Sequence, residues 1–245
     1  MTQLLSGGNH SANDNSEVPG SFDVVVFDHD GVLVDSEILA MEILADMASA
    51  HGAPTTVQQA VDTFLGTSID HVLEYIRLQG GQIDDAVFIE TFHDTLFTAF
   101  RDRLQPVPGM GSLLDQLQAH QLVNVVASSG TSQRVELGLE CSGLAPYFDS
   151  SRITTRDHVS RGKPAPDIFL AAAVKAATDP ARCIVIEDSP HGITAARRAG
   201  MRVIGLSHRT PAQRLIGADW VVTDTAAIQS LLLGNTGSET TASIR

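Results

Sequence analysis

The stretch Ser21–Glu37, which reads SFDVVVFDHDGVLVDSE, decides how the rest of the chain is interpreted. Its run VVVF is short, apolar and rich in β-branched residues, which is typical of a strand buried on both faces. Asp28 and Asp30 follow directly, where that strand would leave its sheet, and open α/β sheets bind ligands at such strand ends. Neighbouring side chains of a strand point in opposite directions, so Asp28 and Asp30, two positions apart, would lie on the same side of an extended chain. Gly31 permits a turn directly after them.

The composition limits the class of protein. The chain has 245 residues and a mass of 26.0 kDa, which suits one large domain or two smaller ones. A net charge of −13 disfavours nucleic acid or an anionic membrane as the main partner. No secretory signal and no membrane-spanning apolar run is recognisable. Cys141 and Cys183 could form at most one disulfide, so we expect reduced thiols and a cytoplasmic location.

The order of apolar patterns predicts an α/β fold. Short strand patterns alternate with helical ones, which predicts parallel βαβ units in a three-layer, Rossmann-like core with helices on both faces of the sheet. One long segment after the first strand carries helical patterns alone and predicts an inserted all-helical cap. The chain would pass between core and cap twice, near Asp35 and near Gln105, and these two connections would form a hinge. The expected parts are an α/β core at 21–35 and 105–233, a helical cap at 36–104, and flexible tails at 1–20 and 234–245.

Polar residues follow strands or precede helices at four places in the predicted core. They are Asp28/Asp30, Ser128/Ser129, Lys163 and Glu187/Asp188. Because all strands of a parallel sheet end at one edge, these clusters could converge there. Several carboxylates in one place require a hard cation, for which Mg²⁺ is the natural choice, while lysine and serine can hold phosphate oxygens. Each cluster alone is equally compatible with a purely structural role as a turn, a helix cap or a solvated charge. Such structural roles do not explain why all four clusters occur in this order.

Three motifs around these clusters resemble those of the haloacid dehalogenase-like (HAD) hydrolase superfamily. They read FDxDGVLVDSE at 27–37, GKPxPDxF at 162–169 and IEDSxxGI at 186–193. The branch that they resemble contains β-phosphoglucomutases, phosphoglycolate phosphatases and small sugar-phosphate phosphatases, and the similarity runs from Asp23 to Ser207. The resemblance implies a Mg²⁺-dependent phosphatase for a small phosphorylated metabolite such as a sugar phosphate. We expect it to act as a monomer or weak dimer.

The resemblance also implies a role for each motif residue. Asp28 would attack phosphorus to form an aspartyl-phosphate, and Asp30 would act as general acid and then as general base. The implied Mg²⁺ ligands are Asp28, the backbone carbonyl of Asp30, Glu187 and Asp188. The implied phosphoryl-binding groups are Ser128, a backbone N–H near Ser129, and Lys163. The implied substrate contacts of the cap are Gly66, Thr67 and Ser68, together with residues near Glu37, and His71 is an outside candidate. His29 should point away from the acids.

Alternatives inside and outside the superfamily remain open. Family mutases usually carry a histidine where this chain has Ala40, and basic residues around the loop at 65–69, so hydrolysis is favoured over mutase chemistry. Phosphoglycolate is a further possible substrate. A phospho-acceptor signalling domain also gathers acids, a hydroxyl and a lysine, but it has neither the cap nor the second aspartate. A metal-dependent glycosyltransferase would give no role to Lys163.

Overall fold

A parallel sheet of six strands forms the centre of the computed structural model, which describes residues 22–234. The spatial order of the strands is β3-β2-β1-β4-β5-β6, so the first strand of the chain lies in the middle. The strands are β1 (Val24–Phe27), β2 (Val123–Ser128), β3 (Ile153–Thr155), β4 (Cys183–Glu187), β5 (Arg202–Leu206) and β6 (Trp220–Val222). All four residues of β1 are buried, as the VVVF run predicts.

Helices connect the strands and occupy both faces of the sheet. The helices are α1 (Ser36–Ala50), α2 (Val57–Phe64), α3 (Ile69–Leu78), α4 (Asp85–Arg103), α5 (Met110–Ala119), α6 (Ser132–Cys141), α7 (Asp167–Lys175), α8 (Pro190–Arg198) and α9 (Thr225–Leu233). Short 3-10 turns lie at Ala145–Tyr147, Ser150–Arg152, Arg156–His158, Pro180–Arg182 and Ala212–Arg214. No helix in the range 22–234 combines the length and apolar character that a membrane span requires.

The pleat of β1 divides the apolar core between the two faces. Val24 and Val26 pack with buried residues of α7 and α8, whereas Val25 and Phe27 join a larger cluster that includes α1, α5, α6 and α9. Alternate residues of a strand point to opposite faces, which explains the division. The predicted three-layer, Rossmann-like α/β arrangement is therefore confirmed.

Helices α1 to α4 follow one another between β1 and α5, with no strand among them, over the segment predicted to be helical. Phe64, Phe88 and Phe100 of these helices are buried and belong to the same large cluster as Val25 and Phe27 of the sheet. The chain enters and leaves this segment side by side, because Asp35 N donates to Gln105 O at 2.9 Å. The division into a core domain and a cap domain remains a prediction.

Two local elements differ from what the sequence patterns indicate. The pattern of residues 147–153 indicates a short strand within that range, but two 3-10 turns occupy most of it and β3 begins only at its last residue, Ile153. Helix α9 was not predicted; Asp224 caps it, and its buried Leu231 and Leu232 belong to the larger core cluster. The predicted tails at 1–20 and 234–245 lie outside the described residues, except for Gly234.

The two cysteines have different surroundings. Both Cys141 and Cys183 are free thiols, which agrees with the expectation of no disulfide. Cys183 is buried, and burial raises the pKa of its thiol to about 11. Cys141 is only partly buried.

Candidate active site

Lysine 163 connects two acids that come from neighbouring strands. Its Nζ lies 2.6 Å from Asp28 Oδ1 and 2.8 Å from Glu187 Oε1, and its side chain is only 5% exposed. Asp28 follows the last residue of β1, and Glu187 is the last residue of the adjacent β4. The sequence-predicted clusters around these residues therefore meet at one edge of the sheet, as parallel strands require.

Three buried carboxylates form the centre of the site. One oxygen from each of Asp28, Glu187 and Asp188 lies within 4.8 Å of the others. Burial raises the pKa of Asp28 to about 6, with Glu187 adding to the rise and Lys163 opposing it. Burial and the nearby Glu37, Glu187 and Asp28 also raise the pKa of Asp188 well above its usual value. One lysine does not balance this negative charge, and the oxygen donors suit a hard divalent cation.

Glycines allow the acids to approach the backbone closely. Gly31 has φ +78°, a left-handed conformation, and a Cβ there would overlap the Asp188 carboxylate. A Cβ at Gly192 in the first turn of α8 would likewise overlap the Glu187 carboxylate. Glu187 Oε2 also accepts a hydrogen bond from Ser189 N at 2.7 Å, which fixes its direction. The first and third motifs of the sequence thus pack together at Gly31, and the third motif packs closely on itself at Gly192.

Asp30 lies outside the cluster of Asp28, Glu187 and Asp188, and its side chain pairs with Arg134. Arg134 donates from Nη2 at 2.7 Å and from Nε at 3.3 Å, both to Asp30 Oδ1, and the Ser36 hydroxyl donates to the same oxygen. Burial alone would raise the pKa of Asp30, but the charges of Arg134 and His29 hold it well below its usual range. The Asp30 side chain is therefore ionised in this arrangement, and its side chain is engaged away from the carboxylate cluster.

His29 does not point away from the acids as expected. Its buried ring places Nδ1 3.4 Å from Asp30 Oδ2. The ring also packs against α6, because a Cβ at Gly138 would overlap it. The alternation expected for an extended chain fails here because the backbone already turns at this point, as Leu33 N and Val34 N both donate to His29 O.

The two serines after β2 lie at the same sheet edge. Ser128 is buried, and its Oγ accepts a hydrogen bond from Gly130 N at 3.0 Å. Ser129 lines a cavity of about 300 Å³ between the helical segment and the strand ends. Asp30 and the loop residues Gly66, Thr67 and Ser68 line the same cavity, whereas His71 is not among its lining residues. The predicted cap loop and the strand-end groups therefore share one space.

Sequence reasoning missed one charged residue of this cavity. Arg134 is the third residue of α6, where a positive charge is unfavourable to the helix dipole. A basic side chain in the first turn of a helix, just after a strand-end loop, indicates that this side chain has another partner. Glu37 also lines the cavity, where the sequence placed possible substrate contacts near it. Burial, followed by the charges of Asp30, Asp35 and Asp28, raises the pKa of Glu37 to about 7.

Comparison with known proteins gives a consistent picture. The family model described as haloacid dehalogenase-like hydrolase matches residues 25–206. The chain is 31% identical over 211 residues to validoxylamine A 7'-phosphate phosphatase of Streptomyces hygroscopicus subsp. limoneus, covering 85% of this chain and 96% of that protein. It is 30% identical over 218 residues to the beta-phosphoglucomutase of Bacillus subtilis, covering 85% of this chain and 92% of that protein.

Other matches extend to longer proteins and to solved structures. The chain is 30% identical over 183 residues to a bifunctional riboflavin kinase/FMN phosphatase of Arabidopsis thaliana; the match covers 74% of this chain but only 48% of that protein. A HAD family hydrolase from Deinococcus radiodurans R1, solved with bound phosphate and sodium, is 30% identical with a TM-score of 0.72. That match covers 86% of this chain and 98% of the solved chain.

Proposed function

The chain belongs to the haloacid dehalogenase-like hydrolase family and is a phosphatase of that family, and we propose that Asp28 is its nucleophile in a Mg²⁺-dependent hydrolysis of a sugar phosphate or similar metabolite. One observation carries this proposal: the buried bridge from Lys163 to both Asp28 and Glu187, beside Asp188. A buried lysine beside two acids at the strand ends is explained if its ammonium group also binds an anion at this edge of the sheet. A phosphoryl group is such an anion.

The nucleophile is held in a defined orientation. Lys163 engages Asp28 Oδ1, and no hydrogen bond within residues 22–234 engages Oδ2, which leaves that oxygen as the attacking atom. Oδ2 would form a bond to phosphorus while the bond from phosphorus to the leaving oxygen breaks, giving an aspartyl-phosphate. Water then attacks the phosphorus of this intermediate and returns Asp28 to a carboxylate.

The residues around the acids fit a divalent cation. Asp28, Glu187 and Asp188 would hold it, together with the backbone carbonyl of Asp30. When bound, Mg²⁺ supplies positive charge that neutralises these carboxylates and the phosphate oxygens. The raised pKa values of Asp28 and Asp188 support this assignment, because they report excess negative charge in a buried place.

Asp30 is suited to moving the proton. It lies two residues after the nucleophile and lines the cavity that would contain the leaving group. As an ionised carboxylate it can take the proton of the attacking water; to donate a proton to the leaving alcohol it must first separate from Arg134. Ser128, Ser129 and Lys163 would position the phosphoryl oxygens while this happens.

The helical segment 36–104 would act as a cap that determines the substrate. Its loop residues Gly66, Thr67 and Ser68 and the strand-end group Ser129 line one cavity of about 300 Å³, which is enough space for a small sugar. We propose that the cap opens and closes about the paired crossings at Asp35 and Gln105. A cytoplasmic location and a monomeric or weakly dimeric state remain predictions.

A phosphosugar mutase is the second candidate, because one relative at 30% identity is a beta-phosphoglucomutase. A mutase must hold a second phosphate in the cavity while the first is transferred. Ala40 lines this cavity. Arg134 is the one basic lining residue in the part of the chain that the structure describes, and it is already paired with Asp30. These features favour water as the final phosphoryl acceptor.

The test is a hydrolysis screen of the purified full chain across phosphosugars, phosphoglycolate and nucleotides, with and without Mg²⁺. Asp28→Asn should abolish phosphate release from every substrate while far-UV circular dichroism remains unchanged. Full activity in Asp28→Asn would refute the nucleophile assignment. Conversion of β-glucose 1-phosphate to glucose 6-phosphate in the presence of its bisphosphate activator would instead establish the mutase.

A further inference from the structure

The cavity between the helical segment and the strand ends has an unusual distribution of charge. Most of its wall is apolar, and its charged lining residues are Asp30, Glu37 and Arg134. Arg134 reaches the cavity from α6, in the core part of the chain, and not from the helical segment that covers the cavity. One cation against two acids cannot neutralise a second phosphate or a carboxylate on the substrate.

The guanidinium of Arg134 is only partly used by the protein. Its Nε and Nη2 both donate to Asp30 Oδ1, and within residues 22–234 no hydrogen bond uses Nη1. The group lies 5.6 Å from the centroid of the buried Phe100 ring of α4, which holds it from the side. A planar donor that is fixed on one edge and unengaged at one nitrogen is preorganised to bind an oxygen atom.

Glu37 provides the complementary acceptor in the same cavity. Its Oε2 is buried and has no hydrogen-bond partner within residues 22–234, and burial together with three nearby acids raises the pKa of Glu37 to about 7. A buried polar atom without a partner is costly unless a ligand supplies one. A hydroxyl group can accept from a guanidinium and donate to a carboxylate, whereas an anionic group would be repelled by Glu37 and Asp30.

We propose that Arg134 is a specificity-determining residue that donates a hydrogen bond to a hydroxyl of an uncharged, polyhydroxylated leaving alcohol. This inference rests on the proposed function, since it concerns the same cavity and the same reaction. It narrows the substrate class to monophosphate esters of neutral polyols or sugars, and it disfavours bisphosphates and phosphorylated acids. Arg134, the residue that would recognise the leaving group, also contacts Asp30, the residue that would exchange the proton.

The experiment compares two phosphate monoesters of primary six-carbon alcohols, sorbitol 6-phosphate and n-hexyl phosphate. Both need the same proton transfer, so their ratio of kcat/KM isolates recognition of the hydroxyls from any effect on Asp30. The wild type should favour sorbitol 6-phosphate, and Arg134→Met should reduce that preference about 10- to 100-fold, which is the effect of losing a charged hydrogen bond. Arg134→Lys keeps a charged donor and should retain an intermediate preference for sorbitol 6-phosphate. This variant provides the test if the methionine variant does not fold.

Arg103→Met is the matched control, because Arg103 is an exposed arginine that also pairs with a single carboxylate, that of Glu42. It should leave the preference unchanged. An unchanged preference in both Arg134 variants, or no preference in the wild type, overturns the inference while leaving the phosphatase assignment intact. Absence of Mg²⁺-dependent turnover of either ester in the wild type would instead count against the proposed function itself.

Discussion

Lys163 Nζ lies 2.6 Å from Asp28 Oδ1, although the two residues are 135 positions apart in sequence. The same ammonium lies 2.8 Å from Glu187 Oε1, and both acids are buried. Burial lowers the pKa of Lys163, but the combined effect of Asp28 and Glu187 is larger and raises it. The net shift of this pKa is upward, so the ammonium stays charged. This buried cation offsets part of the negative charge of the surrounding acids.

Removal of that cation should destabilise the metal-free protein. Lys163→Met leaves Asp28, Glu187 and Asp188 buried without their positive partner, and loss of one partner of a buried ion pair costs about 3–5 kcal/mol. Urea denaturation at pH 7.5 in the presence of a chelator measures this free energy of unfolding. Lys175→Met, which removes the other lysine of the chain, should cost clearly less, because Lys175 pairs only with a backbone carbonyl. Equal losses in both variants would contradict the prediction.

Stabilisation by Mg²⁺ should increase with pH. Burial raises the pKa of Asp28 to about 6 and the pKa of Asp188 well above its usual value, so the folded metal-free protein binds protons that the unfolded chain releases. That contribution to stability is present at low pH and is lost as the pH rises through about 6. Mg²⁺ binds the ionised carboxylates, so its effect on Tm should be small at pH 5 and about 5–10 °C at pH 8 with saturating metal.

Differential scanning fluorimetry with and without Mg²⁺ across this pH range provides the measurement. Asp188→Asn should reduce the gain in Tm at pH 8, since it removes one carboxylate from the proposed site. A gain of the same size at pH 5 and pH 8 would contradict the linkage between proton release and metal binding.

Gly31→Ala should separate backbone strain from damage to the site. Gly31 and Gly80 both have positive φ, and an alanine in that conformation costs about 1–2 kcal/mol at either position. A Cβ at Gly31 would also overlap the Asp188 carboxylate, whereas a Cβ at Gly80 would meet nothing within 4 Å. Both variants should therefore lose stability, but only Gly31→Ala should lose the Mg²⁺-dependent rise in Tm and the phosphatase activity.

Asp30→Asn should affect the two halves of the reaction differently. An alkoxide needs a proton to leave, so kcat/KM for an alkyl phosphate should fall about 10²- to 10⁴-fold. Nitrophenolate leaves without a proton, so p-nitrophenyl phosphate should still form the aspartyl-phosphate. Water is then poorly activated, and stopped-flow absorbance should show a burst of one equivalent of nitrophenolate followed by slow turnover. Asp62→Asn, on an exposed residue of α2, should behave as the wild type.

Much of the fold could be predicted because its patterns are local. The VVVF run gives the position of β1 directly, and the helical patterns after it give the segment that α1 to α4 occupy. The failures lie beside irregular segments: two 3-10 turns come before β3, and α9 directly precedes the segment expected to be a tail. Their positions depend on packing against the rest of the chain.

The candidate site could be predicted in part for a similar reason. Asp28, Lys163 and Glu187 all lie at strand ends or before a helix, and the parallel sheet brings strand ends together. The partnership of Asp30 with Arg134 joins residues 104 positions apart and depends on how α6 lies against the turn after β1. No periodicity in the sequence predicts that Asp30 pairs with Arg134, so only the tertiary structure shows this pairing.

The central position of β1 has a consequence for how the chain folds during synthesis. Val24 pairs with Val123 on one side and with Cys183 on the other, so both neighbours of β1 come later in the chain. The apolar strand β1 therefore emerges from the ribosome before both of its neighbours and cannot be enclosed on both sides until Cys183 has been made. Pairing over such distances is slow, and an unpaired apolar strand is prone to aggregate, so this segment is where a chaperone would have most effect on yield.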